Sequence, residues 1–146
     1  MFLDLKSDEI KVLKDTGIIS FEKAKSMEPD AQPAKLGDKF GESWTTHWFF
    51  VEFEVPDHWN QLAAPEDEFH FIFSCGCEAG LYDYETGKYF QAFNENRREY
   101  YVIEPRETGR IKFMIELACN GMFGNFKDGR GGMNPVDHHK MYTLSK

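Results

Sequence analysis

The sequence predicts an all-β protein, an antiparallel β-sandwich of jelly-roll or galactose-binding-like type with a short helical lead-in. Three observations predict it: apolar residues alternate with period two in several short segments, glycine-containing turns separate these segments, and no long helical pattern follows residue 30. The 146 residues, 41% hydrophobic and 16% aromatic, are enough for one domain with a sizeable core. We expect a helical and extended lead-in over residues 1–40 and the β-sandwich domain over residues 41–146.

The lead-in is predicted to hold a short helix and an extended crossing segment. Ser7 can cap a helix that ends at Gly17, with Ile10 on its apolar face. A second helical turn is predicted to start at Ser20. Residues 28–41 contain two prolines and two glycines, which favour an extended backbone.

The rest of the chain is predicted to form short strands. Between Thr45 and Val55, Phe49 and Phe53 point to one face while Trp48 points to the other. Pro56 closes this strand. The further strand segments are Phe69–Phe73, a hairpin over Leu81–Phe93 that turns at Glu85–Lys88, Glu99–Glu104, Ile111–Leu117 and Met141–Ser145.

Charge and hydropathy argue against two classes of partner. The 17 Lys and Arg residues are scattered and outnumbered by 25 Asp and Glu, which gives a net charge of −8 and disfavours nucleic acid. No apolar run approaches the roughly 20 residues that a membrane helix needs, and the first residues lack a signal-peptide layout. We expect a cytoplasmic protein that binds neither nucleic acid nor a membrane.

The three cysteines are expected to be reduced thiols. Cys75, Cys77 and Cys119, with a histidine, could supply zinc ligands, but their spacing differs from a zinc knuckle, and burial as apolar residues is the alternative. Cys119 beside Asn120 and Gly121 also suggests a thiol nucleophile. That chemistry needs a general base within reach, and none is evident nearby in the sequence. We therefore predict a buried cysteine at a strand end, with no metal site and no catalytic residue.

Two further patterns relate to sugars. Glycoside hydrolysis needs two carboxylates, and acidic residues fall near the predicted hairpin, although 25 acidic residues also cluster by chance. Carbohydrate binding needs aromatic faces and planar polar side chains, and packing of the tryptophans in the core is the alternative interpretation. The acidic candidates are Glu78, Asp83, Glu95 and Glu99, and the sugar-binding residue types are Trp44, Trp48, Gln91, Asn94, Asn96 and Arg98.

Three blocks of sequence point to a known family. The first lies within Ala34–Trp59 and includes Gly37, Phe40, Gly41, Ser43, Trp44, Thr45, Thr46, His47, Trp48 and Phe49. The second is Ile115–Asn125, with the motif Ala-Cys-Asn-Gly-Met-Phe-Gly, and the third is Met141–Lys146. In this order they resemble the N-terminal β-sandwich of the cytosolic and vacuolar α-mannosidases of glycoside hydrolase family 38.

This resemblance implies a role in mannose metabolism. The family removes terminal α-D-mannose residues in oligosaccharide catabolism by a retaining mechanism, with zinc and a carboxylate nucleophile supplied by a catalytic barrel that follows the sandwich. The resemblance thus implies a non-catalytic N-terminal domain that is inactive alone and holds no cofactor. It also implies a catalytic barrel as partner, a homo-oligomeric full-length enzyme, and residence in the cytoplasm or delivery to the vacuole or lysosome.

The resemblance also suggests site residues. Cys119, Asn120, Gly121, Met122, Phe123 and Gly124 would form a domain-docking loop, in which Met122 and Phe123 anchor the barrel. The alternative is a free-standing mannose-binding module with four contact residues, Trp44, Glu78, Arg98 and Asn120. A surface for another subunit or a cargo receptor is a third hypothesis.

Overall fold

The computed structural model describes residues 2–35, 38–40, 44–64, 67–75, 77–94, 100–103, 110–119, 136–137 and 143–145. The strands are β1 (Phe2–Asp4), β2 (Ile10–Leu13), β3 (Gln32–Pro33), β4 (Lys39–Phe40), β5 (Thr46–Glu54), β6 (Phe69–Ile72), β7 (Glu78–Asp83), β8 (Tyr89–Phe93), β9 (Tyr100–Ile103), β10 (Arg110–Ala118), β11 (Val136–Asp137) and β12 (Thr143–Ser145). The helices are α1 (Phe21–Ser26) and α2 (Asp57–Leu62), and a 3₁₀ turn spans Glu28–Asp30.

The strands form two main antiparallel sheets. One sheet has the order β1-β12-β6-β9 and the other has the order β3-β2-β5-β10-β7-β8, while β4 and β11 pair separately. The long strands β5 and β10 lie side by side at the centre of the six-stranded sheet, with Phe113 opposite Val51. The predicted antiparallel sandwich is confirmed.

The main core lies between the two sheets and is rich in phenylalanine. Phe71 of β6 is fully buried and bridges the sheets. Its ring stacks on Phe53 with centroids 5.7 Å apart and lies 5.5 Å from Phe113 and 6.4 Å from Phe93. The inward-facing phenylalanines of β5 and β6 therefore interdigitate with Phe113 of β10, as the period-two pattern predicts.

A second, smaller core covers the outer face of the six-stranded sheet. Trp48 and Phe50 point away from the main core, yet they are only 1% and 3% exposed. Helix α1 packs on them through Ala24, which is fully buried, and through Phe21, whose ring lies 6.4 Å from that of Trp48. The predicted helical turn after Ser20 is confirmed, and the Ser20 hydroxyl accepts a hydrogen bond from the Lys23 N–H at 3.1 Å.

The helix predicted from Ser7 to Gly17 is wrong. Ile10–Leu13 forms strand β2 instead, which pairs with β5 so that Ile10 lies opposite Val51. Ile10 and Val12 are buried while Lys11 between them is exposed, which is a period of two. The physical reason is tertiary: the edge of β5 offers backbone partners and an apolar face, and these outweigh the weak local preference for a helix.

The remaining strand predictions agree with the structure. The hairpin of β7 and β8 turns through residues 84–88, where Gly87 has φ +71°. A side chain at that position would be strained because L-residues rarely adopt positive φ. Strands β9 and β12 fall within the predicted segments Glu99–Glu104 and Met141–Ser145, and β10 extends the predicted Ile111–Leu117 by one residue at each end.

Candidate functional site

A groove of about 720 Å³ lies at one end of the six-stranded sheet, where β5, β7, β8 and β10 meet. The side chains of Leu81 and Leu117 face the main core, so their strand neighbours Gly80, Tyr82 and Glu116 face outward. The residues used below to define this groove are Trp44, Glu78, Gly80, Tyr82, Tyr89 and Glu116. The groove combines exposed aromatic rings with polar side chains.

Exposed apolar side chains concentrate around the groove. Ile18, Trp44 and Tyr89 line it with exposed fractions of 94%, 64% and 51%. The other large apolar side chains exposed in the described part of the chain are Leu62 and Tyr100. Clustering of this kind marks a surface that contacts a ligand or another protein.

Trp44 has an unusual backbone conformation. Its φ is +66°, and among the described non-glycine residues only Asp15 is also positive, at 52°. Its N–H donates to the Cys119 carbonyl at 2.7 Å, and the Cys119 N–H donates to the Thr45 carbonyl at 2.9 Å. A bulky side chain in this region is strained. Because the ring is mostly exposed, packing does not offset the strain, and strained residues of this kind cluster at functional sites.

Two tyrosine rings form the aromatic floor of the groove. Tyr82 and Tyr89 meet edge to face with centroids 5.3 Å apart. They cross above Gly80, where a Cβ atom would lie 3.1 Å from the Tyr89 ring and 3.3 Å from the Tyr82 ring. Glycine at this position therefore allows both rings to lie close to the sheet.

The groove carries two carboxylates. Burial raises the pKa of Glu116, although a hydrogen bond from the Tyr82 hydroxyl at 3.3 Å opposes the shift. Burial, followed by the charge of Glu116, raises the pKa of Tyr82. Glu78 is exposed at the start of β7. The described residues that line the groove include no lysine or arginine, so its charge is negative.

Half of the predicted sugar contacts are described by the structure. Trp44 and Glu78 lie on the same groove although 34 positions separate them in the sequence. Arg98 and Asn120 lie outside the described residues. Sequence reasoning missed Tyr82 and Glu116, because only the pairing of β7 with β10 places these two outward-facing residues together.

The proposed docking loop is described only at its first residue. Cys119 follows β10 and is fully buried, while Asn120, Gly121, Met122, Phe123 and Gly124 lie outside the described residues. A hydrogen bond from Cys77, followed by hydrogen bonds from His47 and Thr45, lowers the pKa of the Cys119 thiol to about 5 against the opposing effect of burial.

His47 is the neighbour of Cys119 that the sequence did not reveal. It is 1% exposed, and its Nδ1 accepts the Asp15 N–H at 3.2 Å. Its Nε2 lies 3.0 Å from the Thr45 hydroxyl. The burial of His47 and Cys119 places this pair inside the sandwich, away from the groove.

The carboxylates predicted from the sequence are not paired where the structure describes them. Glu78 and Asp83 lie at opposite ends of β7, and Glu95 and Glu99 lie outside the described residues. Among the residues with described positions, no group of three or more His, Cys, Asp or Glu side chains is arranged to hold a metal ion. No described helix is long and apolar enough to cross a membrane.

Comparison with protein families gives a match over almost the whole chain. Residues 5–146 match the family model described as the jelly-roll domain of α-mannosidase. Alpha-mannosidase G of Dictyostelium discoideum is 35% identical over 99% of the chain, alpha-mannosidase of Saccharomyces cerevisiae is 32% identical over 86%, and alpha-mannosidase 2C1 of Homo sapiens is 32% identical over 83%. The chain spans only 11–13% of the length of these relatives.

Two β-glucuronidases have solved structures with a similar fold. A β-glucuronidase of an uncultured Clostridium sp. superimposes on 99% of the chain with a TM-score of 0.60 at 13% identity, and the match covers 28% of that protein. An FMN-binding β-glucuronidase from Facaelibacterium prausnitzii L2-6 gives a TM-score of 0.56 at 11% identity. This match covers 99% of the chain and 22% of the β-glucuronidase. At such low identity the likeness is one of fold.

Proposed function

The chain belongs to the family of α-mannosidase jelly-roll domains, and from this premise we propose that it acts as the non-catalytic N-terminal domain of an α-mannosidase. The observation that carries the proposal is the family match over residues 5–146, in a chain that spans 11–13% of relatives named α-mannosidases. The parent enzyme would hydrolyse terminal α-D-mannose residues with zinc and a nucleophile supplied by its catalytic barrel. It would work in the cytoplasm as a homo-oligomer.

The domain would hold the barrel through the docking loop. β10 lies between β5 and β7 in the six-stranded sheet, so the segment that leaves it starts from a rigid position. Cys119 is anchored there by backbone hydrogen bonds to both Trp44 and Thr45. Met122 and Phe123 follow after Asn120 and Gly121 and would provide apolar side chains for the contact.

Exchange with a relative tests this role. We expect the chain alone to leave an aryl α-mannoside intact. Added to the S. cerevisiae relative from which the matching segment has been deleted, it should restore activity and co-elute in gel filtration. Hydrolysis by the chain alone would contradict the non-catalytic assignment, and failure to bind or restore the deleted enzyme would contradict the docking role.

Matched variants test the docking loop in the same assay. The double variant Met122→Ser/Phe123→Ser should reduce the restored activity at least about tenfold, because the two apolar contacts proposed with the barrel are lost. Leu62→Ser removes a leucine that is 65% exposed on α2 and should restore activity like the unsubstituted chain. Equal activity of the two variants would remove the loop from the interface.

The groove favours a second candidate function, that of a carbohydrate-binding module. The aromatic faces of Trp44 and Tyr89 are exposed and suit the apolar C–H face of a sugar ring. Glu78 and Glu116 are acceptors for the paired hydroxyl groups of a sugar. Since the described lining carries negative charge and no cation, it favours a neutral glycan such as a mannoside over an anionic sugar.

Tryptophan fluorescence separates the two candidates. Trp48 and Trp59 are 1% and 2% exposed, so Trp44 is the tryptophan that a ligand in the groove would reach. A binding module should show a saturable change on titration with mannose or mannobiose, and Glu78→Gln should weaken binding severalfold. Glucuronic acid, an anionic sugar, is the control ligand that should not bind. If the fluorescence change does not saturate with any of these sugars, the carbohydrate-binding function is excluded and the docking role remains.

A further inference from the structure

Two of the three cysteines face each other across neighbouring strands. The antiparallel register of β7 and β10 places Ala118 opposite Glu78 at the end of the ladder. One step further along each strand brings Cys119 opposite Cys77. The third thiol, Cys75, lies two residues from Cys77 and donates a hydrogen bond to the Cys77 carbonyl at 3.2 Å.

The backbone hydrogen bonds of Cys119 identify the type of this cross-strand pair. Both its N–H and its carbonyl bond towards β5, the former to Thr45 at 2.9 Å and the latter to Trp44 at 2.7 Å. Neither group is therefore directed at Cys77, and the two cysteines form a non-hydrogen-bonded pair. The Cα atoms of such pairs lie about 4.5 Å apart, within the range of about 4.4–6.8 Å that a disulfide spans.

The side chains of this pair also meet. Cys77 and Cys119 are 4% and 0% exposed and both belong to the main core, so they lie on one face of the sheet. A hydrogen bond from Cys77 is the largest cause that lowers the pKa of Cys119 to about 5. A lowered pKa increases the share of Cys119 that is present as thiolate, and thiolates are the attacking species in disulfide exchange.

We propose that Cys77 and Cys119 are a site of reversible oxidation, at which glutathione disulfide or a similar disulfide oxidant joins them in an intramolecular cross-strand disulfide. The Cys119 thiolate attacks one sulfur of glutathione disulfide, which forms a mixed disulfide and releases one glutathione thiolate. Cys77 then loses its proton and attacks the Cys119 sulfur, which releases the second. The two protein cysteines are oxidised and one glutathione disulfide is reduced. Of the two released glutathione thiolates, one takes up the proton lost by Cys77 and the other takes up a proton from the solvent.

The position of the bond gives the modification a consequence for the domain. Both sulfurs are buried, so reaction proceeds through local opening at the shared end of β7 and β10. The bond ties these strands together at the residue that directly precedes Asn120. It would therefore stiffen the base of the docking loop.

Peptide mapping of the folded chain tests the proposal directly. After incubation with glutathione disulfide, the remaining thiols are alkylated and the protein is digested. We expect a mass lower by two hydrogen atoms, a linked peptide pair joining Cys77 to Cys119, and alkylation of Cys75 alone. Linkage of Cys75 to either other cysteine, or three alkylated thiols under conditions that oxidise the urea-unfolded chain, would overturn the assignment.

Single substitutions give a second, independent measurement. Cys75→Ser should form the same linkage at an unchanged rate, because Cys75 takes no part in it. Cys77→Ser should stop at the mixed disulfide and gain the mass of one glutathione on Cys119, because the resolving thiol is gone. If Cys75→Ser loses the linkage as completely as Cys77→Ser, while circular dichroism shows that the Cys75→Ser variant is folded, the pairing of Cys77 with Cys119 is contradicted.

Discussion

Replacing Phe71 with alanine lowers the free energy of unfolding by about 3–5 kcal/mol, the usual cost of deleting a buried aromatic ring. Phe71 is fully buried and joins the two sheets, since its ring contacts Phe53, Phe93 and Phe113 on the opposite layer. The cavity left behind lies between two hydrogen-bonded sheets, which cannot collapse to fill it. Urea unfolding followed by tryptophan fluorescence measures the loss.

The control for this prediction is an apolar residue outside the core. Ile18 is 94% exposed, so Ile18→Ala should change the free energy of unfolding by less than about 0.5 kcal/mol. Equal effects of the two substitutions would show that Phe71 does not hold the sheets together.

Replacing Trp44 with glycine is expected to abolish the saturable sugar binding proposed for the groove while leaving the domain at least as stable as Trp44→Ala. The ring is 64% exposed and forms one wall of the groove, so its removal takes away contact with the ligand. The backbone effect runs the other way, because φ +66° suits glycine and strains any other residue. Calorimetric titration with mannobiose measures binding without relying on the lost fluorophore.

The comparison with Trp44→Ala separates the effect of losing the indole ring from the effect of relieving backbone strain. Both variants lack the ring and should fail to bind sugar. The glycine variant should be more stable than the alanine variant by about 1 kcal/mol. A left-handed conformation costs an L-residue about 1–2 kcal/mol, and the greater conformational freedom of glycine in the unfolded chain offsets part of this gain. Equal stability would show that the positive φ stores no strain. Binding retained by both variants would remove Trp44 from the sugar site.

The sequence by itself determined those parts of the fold that rest on local patterns. The alternation in β5, β6 and β10 specified strands because each buries a single row of side chains, such as Phe49 and Phe53. The hairpin of β7 and β8 was predictable because its turn needs the positive φ that Gly87 supplies. The start of α1 was predictable because the Ser20 hydroxyl can accept a hydrogen bond from the N–H of Lys23, three residues later in the chain.

The tertiary structure decided what depends on partners distant in the chain. Ile10–Leu13 is a strand because the edge of β5 receives it, and four residues carry too little local preference to choose that state alone. The groove exists because the register of β7 with β10 brings Tyr82 beside Glu116. The same register sets Cys77 against Cys119, and the spacing of residues along a chain cannot reveal which residues will face each other across a sheet.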